Sequence, residues 1–171
     1  MNSTHQIEEV FEAVQTGDAA KLKEILHSNP TLANMENSDG HTPLGYAAHL
    51  GHANVAAVLL EFGADVNAIS HSKVSYIPSN TALHAAIAGK RNLDVIKLLL
   101  SQSAQTRILD SNGHTCLHTA AFHDDNVEII RLLIEHGADV QAHAEGGVTA
   151  LTLATEQGNH QVAELLREYG A

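Results

Sequence analysis

The chain has 171 residues, 44 % of them apolar and only 4 % aromatic, with no Trp, a composition suited to thin helices packed closely through small side chains. Its formal net charge of −11 repels a phosphate backbone or an anionic lipid surface, so neither nucleic acid nor membrane is an expected partner. The single cysteine, Cys116, excludes an internal disulfide framework and fits a reducing compartment.

Charge is uneven along the chain. Residues 1–40 carry seven acids and two bases, residues 41–110 four acids and five bases, and residues 111–171 nine acids and two bases. The slightly basic middle predicts a partner with an acidic or mixed patch there. Met1 to Gln6 is polar, so no signal peptide is expected. No apolar run approaches the roughly 18 residues of a membrane-spanning helix. A cytoplasmic protein is expected.

In chain order, Ile7, Val10, Phe11 and Val14 fall at i, i+3, i+4 and i+7, one face of a helix. Gly17-Asp18 breaks it, and Leu22, Ile25 and Leu26 mark a second helix that ends before Asn29-Pro30. Thr42-Pro43 then reads as a helix start, with Thr as N-cap and Pro in the first turn, where its missing N–H costs nothing. Gly51 separates this helix from one carrying Val55, Val58, Leu59 and Phe62, which Gly63 ends. Further helix pairs follow at Thr81 to Leu100, Cys116 to His136 and Ala150 to Tyr169.

The helix starts recur. Thr42-Pro43-Leu44-Gly45-Tyr46-Ala47-Ala48, Thr81-Ala82-Leu83-His84-Ala85-Ala86-Ile87, Thr115-Cys116-Leu117-His118-Thr119-Ala120-Ala121 and Thr149-Ala150-Leu151-Thr152-Leu153-Ala154-Thr155 are spaced by 39, 34 and 34 residues (81 − 42, 115 − 81, 149 − 115). A period near 33 is the signature of a repeat solenoid. The pattern resembles the ankyrin repeat, whose helix-opening motif is T-P-L-H-x-A. Leu59 to Asn67 and Leu133 to Gln141 are similar to that family's second-helix exit, and Asp39-Gly40 and Asn112-Gly113 to its hairpin tip.

The resemblance covers nearly the whole chain. It implies an all-α repeat solenoid, stacked helix-turn-helix units joined by β-hairpin-like loops, in one domain over residues 1–171. The repeats are placed at 5–37 (an N-terminal cap with a polar outer face), 38–76, 77–110, 111–144 and 145–171 (a C-terminal cap). Three departures stand out. Gly45 replaces the family's His. Ser103 replaces the Gly expected at a left-handed helix exit, at a cost on the order of 1 kcal/mol unless another turn is used. The spacing of 39 reflects six extra residues in the loop Ile69 to Asn80 (39 − 33), which carries Val74, Tyr76 and Ile77 beside Lys73 and no acid.

The resemblance implies a non-enzymatic module that binds another protein on its concave face, with the inserted loop adding specificity. The expected contact residues are Tyr46, His49, Lys73, Val74, Tyr76, Ile77, Leu109, Phe122 and His123; aromatic anchors are common among interface hot spots. One alternative is a regulatory subunit that inhibits an enzyme by covering its active site. The free chain is expected to be monomeric. The resemblance also places Asn67, in Asp65-Val66-Asn67, in a context that is hydroxylated in relatives from animal cytosol.

Catalytic chemistry is not expected. The thirteen histidines include His84 and His118 in the family's structural slot, and His41 and His114 before the motif threonines. That recurrence, without H-E-x-x-H or a cysteine-rich set, argues against a metal site. Cys116 takes the slot held by Pro43, Ala82 and Ala150, a packed helix start rather than a nucleophile. No glycine-rich phosphate loop is present, and no cofactor is expected.

Overall fold

The computed structural model describes residues 2–171. Its helices come in five pairs: α1 (Ser3–Thr16) with α2 (Ala19–Ser28), α3 (Pro43–Leu50) with α4 (Ala53–Glu61), α5 (Ala82–Ala88) with α6 (Leu93–Ser101), α7 (Cys116–His123) with α8 (Val127–Glu135), and α9 (Ala150–Gln157) with α10 (His160–Glu168). Short 3-10 turns lie at Pro30–Asn34 and Glu145–Gly147. Among the described residues there is no strand, only an isolated bridge between His143 and Thr149. The fold is all-α and built of repeats, as the recurring motif implies.

The chain forms two compact units, one ending at Ala104 and one spanning Gln105–Ala171. In the first unit, α3 packs between α1 and α5, and α4 between α2 and α6. First helices therefore stack on first helices, and second helices on second helices. The first-helix layer is fully buried through Ala47, Ala48 and Ala86, whose small side chains permit that close stacking. Leu26, Val55, Leu59, Val95, Ile96 and Leu99 fill the space between the layers. Each fully buried Leu or Ile contributes on the order of 1.5–3 kcal/mol. In the second unit α7 packs on α9 and α8 on α10, around Leu117, Ile129, Ile130, Leu133 and Leu166.

The motif threonines act as N-caps. The hydroxyl oxygens of Thr42, Thr81, Thr115 and Thr149 accept the N–H of Gly45, His84, His118 and Thr152 at 3.0, 3.4, 3.4 and 3.2 Å. Each cap satisfies one of the helix's orphan donors, an effect of about 1 kcal/mol.

Polar ties set the spacing between neighbouring repeats. Asn54 and Asn92 donate from their side-chain amides to the carbonyls of Gly17 and Gly51, the inter-helix turns of the preceding repeats, at 2.8 and 3.1 Å. In the second unit Asn159 donates to the carbonyl of Ala121, in the last turn of α7, at 2.8 Å. Asn34 uses both ends of its amide, donating to Gly63 O at 2.9 Å and accepting from Asp65 N–H at 2.8 Å. Ser103 takes the left-handed conformation itself, with φ 69°, so this helix exit keeps the glycine geometry without the glycine.

Candidate functional site

The inserted loop is built on the preceding hairpin tip. At that tip the side chain of Asn37 accepts the N–H groups of Asp39 and His41, at 3.1 and 3.0 Å, and its own N–H donates to His41 O at 3.0 Å. The loop then lays its backbone along this turn. The N–H groups of His71 and Lys73 donate to the carbonyls of Gly40 and Asp39, both at 2.9 Å. The His71 ring bonds the Glu36 carboxylate. Ser70 closes the base of the loop: its N–H donates to Asn80 O at 2.9 Å, and its hydroxyl accepts Asn80 N–H at 3.0 Å. Ser79 accepts Ser72 N–H at 3.0 Å. The loop is thus held by hydrogen bonds, main-chain and side-chain, rather than by an apolar core.

These bonds place the predicted contact residues of the loop. Val74 and Ile77 are half-buried and face a turn closed by Ile77 N–H donating to Val74 O at 3.0 Å. Lys73 is exposed, and Tyr76 stands at the crest with 85 % of its surface open.

Tyr46 lies elsewhere in the same unit. It is half-buried, with its ring 5.5 Å from that of Phe11, and it lines a groove of about 600 Å³ between α1 and the Glu36–His41 tip. Glu36 lines that groove and also holds His71, so one carboxylate links the groove to the inserted loop. The His49 side chain is exposed, but its carbonyl accepts Lys90 N–H at 3.0 Å. A Cβ on Gly89 would sit 2.2 Å from that oxygen, so Gly89 is required for this close approach.

The remaining predicted residues belong to the second unit. Leu109 is 53 % exposed and precedes a tip of the same design as the first, with Asp110 accepting from Asn112 and His114 N–H at 2.9 and 3.0 Å. Phe122 is 45 % exposed at the end of α7 and meets the His123 ring edge-on at 5.2 Å.

The two groups with catalytic potential are occupied structurally. Burial pushes the Cys116 thiol up to about 12, and its Sγ donates to Thr106 O at 3.2 Å. The Nδ1 of His118 accepts Thr115 N–H at 3.3 Å and lies 2.9 Å from the Thr115 hydroxyl. Its Nε2 therefore carries the proton and donates to Val148 O at 3.0 Å, tying the next hairpin tip to α7. Desolvation lowers the pKa of His118 below its usual value, outweighing the opposing pull of the Val148 carbonyl. The ring of His114 stacks on it at 5.4 Å. Gly45 cannot make the corresponding tie, and the loop that follows it closes through Ser70 and Asn80 instead. Among the described residues no three His, Cys, Asp or Glu side chains converge in a way that could hold a metal ion.

Comparison with known proteins agrees with this architecture. The sequence matches the family described as "Ankyrin repeats (3 copies)" over residues 10–107 and again over 83–171. The chain belongs to the ankyrin-repeat family, whose members serve as protein–protein interaction modules. It is 38 % identical over 96 residues to inversin of Mus musculus, covering 56 % of this chain and 8 % of inversin. It is 33 % identical over 106 residues to the mouse "Ankyrin repeat and SAM domain-containing protein 6", covering 62 % of this chain and 11 % of that protein. It is 30 % identical over 200 aligned positions to the "Probable E3 ubiquitin-protein ligase XBOS33" of Oryza sativa, covering 96 % of this chain and 38 % of the rice protein. The matched region is thus a minor part of each relative. No helix among the described residues is long and apolar enough to cross a membrane.

Proposed function

We propose that residues 1–171 act as one non-catalytic binding module of five repeats, which takes a partner protein on its hairpin tips, first helices and inserted loop. Tyr76 carries this reading. A ring that is 85 % exposed has no core role, yet its loop is pinned at both ends by main-chain hydrogen bonds. An exposed aromatic on a loop whose backbone is already hydrogen-bonded loses little main-chain entropy on docking and suits an interface anchor. Lys73 beside it, Tyr46 in the groove, the exposed His49, and Leu109, Phe122 and His123 in the second unit supply further contact surface. Val74 and Ile77 shape the loop that presents Tyr76.

Burial holds the Cys116 thiol protonated, which makes this side chain a poor nucleophile. The net charge of −11 favours a protein partner over nucleic acid or an anionic membrane, and it favours a monomer when the chain is free. A single cysteine, which excludes an internal disulfide, supports a cytoplasmic location.

The test is affinity capture from source lysate with the full chain and with a chain shortened at 72–77. A partner held by the full chain and lost by the shortened one, at equal helicity, supports the reading. Identical partner sets would remove the loop from the interface, and capture of none by the full chain would sink the reading. Loss of activity of a captured enzyme on binding would make the module inhibitory rather than a passive scaffold.

A further inference from the structure

The periodicity that marks the first helix hides a second stripe. Val10, Ala13 and Val14 of α1 are buried in the core. Thr4, Ile7, Glu8, Phe11, Glu12 and Gln15, at i, i+3, i+4, i+7, i+8 and i+11, line the groove, with Phe11, itself buried in the core, forming part of its wall. Ile7, Phe11 and Tyr46 supply apolar surface, while Glu8, Glu12, Glu36 and Asp39 surround it with carboxylates. No Lys or Arg lines it. The two bases of residues 1–40, Lys21 and Lys23, lie on α2, and Lys23 pairs with Glu61 at 3.6 Å. Glu8 and Glu12 are an i, i+4 pair of like charge, an arrangement that weakens a helix by a few tenths of a kcal/mol.

Resting on the protein-binding reading above, we propose that this groove takes a short basic segment of a partner protein. Lys or Arg side chains would lie against Glu8, Glu12, Glu36 and Asp39, and an apolar side chain or an Arg plane against Phe11 and Tyr46. Dimensions favour a peptide over a small cation. The stripe from Thr4 to Gln15 runs about 16 Å along the helix at ~1.5 Å per residue, the length of roughly five extended residues at ~3.3 Å each. Glu8 and Glu12 on the helix and Glu36 and Asp39 on the tip put carboxylates on both walls of the groove, which fits more than one basic side chain. Tyr46 adds a face for a cationic group. Charge also selects against a second copy of this chain, because an acidic groove and a molecule of net charge −11 repel each other.

The experiment is selection of a phage-displayed random peptide library on the full chain. Selected sequences are then remade as fluorescein-labelled peptides and measured by polarisation. Enriched peptides should combine two or more Lys or Arg with an apolar residue and weaken as salt is raised. They should bind the double variant Glu8→Gln, Glu12→Gln about tenfold less tightly, at unchanged helicity, because both side chains are exposed. Tyr46→Ala should weaken them as well. Basic peptides that bind the double variant as tightly as the wild type overturn the proposal, as does recovery of no peptide. A dimer in sedimentation that Tyr46→Ala dissociates would also overturn it, by assigning the groove to a second copy. Neutral or acidic peptides that still depend on Tyr46 would overturn the basic class alone and leave the protein-binding reading standing. That broader reading falls only if lysate capture fails.

Discussion

Gly40 and His71 approach so closely that a Cβ on Gly40 would lie 1.8 Å from the His71 carbonyl oxygen. Gly40 also has φ +79°, a conformation that side chains disfavour. The hairpin tip and the inserted loop are therefore one built unit, and Gly40→Ala is expected to separate them. Left-handed strain and displaced hydrogen bonds together predict a loss of about 1–3 kcal/mol. Hydrogen exchange gives the local readout. The His71 and Lys73 amides, which donate to Gly40 and Asp39, should exchange faster, while those of α6 should not. Unchanged protection at His71 would refute this account of how the loop is held.

Tyr76→Ala should behave in the opposite way. The ring is exposed, so denaturant stability should stay within about 0.5 kcal/mol of the wild type. Partner capture should fall sharply if Tyr76 is an anchor. A variant that loses stability but keeps its partner would show that the loop is an internal strut.

Much of this architecture could be read from residue order, because repeats state their own period. Thr42, Thr81, Thr115 and Thr149 mark four helix starts, and all four cap helices. Other features leave no such trace. Ile7 shares a helical period with Val10, Phe11 and Val14, but the period alone does not say which apolar residues the core buries and which it leaves at the edge of a groove. Val10, Phe11 and Val14 are buried, whereas Ile7 is left half-buried on the groove that the Glu36–His41 tip also lines. The inserted loop is held by main-chain donors at His71 and Lys73, and such bonds have no side-chain signature. Asn54 and Asn92 resemble ordinary helix-start residues, and their bonds to Gly17 and Gly51 emerge only once the repeats are stacked. Whether Tyr46, Leu109 and Phe122 touch a partner depends on that partner's surface, which this chain does not encode.

Ser103→Gly is expected to stabilise the first unit. Ser103 holds φ 69°, which costs a side-chain residue on the order of 1 kcal/mol relative to Gly. Its carbonyl, which accepts from the Asn67 amide at 3.3 Å, is unaffected by the substitution. Greater freedom of glycine in the unfolded chain offsets part of the gain. A rise in the denaturation midpoint with an unchanged slope is the expected result, and a fall would show that the Ser103 side chain contributes more than its backbone strain costs.

His118 should make the second unit sensitive to acid. Its folded pKa is lowered, chiefly by desolvation, with His114 and His143 adding to that shift and Asp110 opposing it. A lowered pKa means that the folded state binds the proton less well than the unfolded chain. The contribution is therefore present above about pH 6.5 and is lost as pH falls below it. Protonation also removes Nδ1 as an acceptor for Thr115 N–H. His118→Ala should cost stability at pH 7.5, and that cost should shrink at pH 5. Urea titrations at the two pH values check this, and an equal cost at both would rule out titration at this site.

Cys116 predicts the alkaline counterpart. Desolvation raises its thiol from 9.0 to about 12, so the folded state retains a proton that the unfolded chain releases. The sign is opposite to that of His118: stability is intact below about pH 9 and falls as pH rises toward 12, by at most about 1.4 kcal/mol per pH unit. Alanine stands at the equivalent positions Ala82 and Ala150, both buried, so Cys116→Ala should fold. The variant should lose less stability than the wild type between pH 9 and 10.5, whatever other groups titrate in both. Alkylation gives a second check, since iodoacetamide should modify native Cys116 only at the rate of local unfolding. Rapid modification at pH 8 would mean that the thiol reaches solvent, and it would reopen the nucleophile assignment that burial closes.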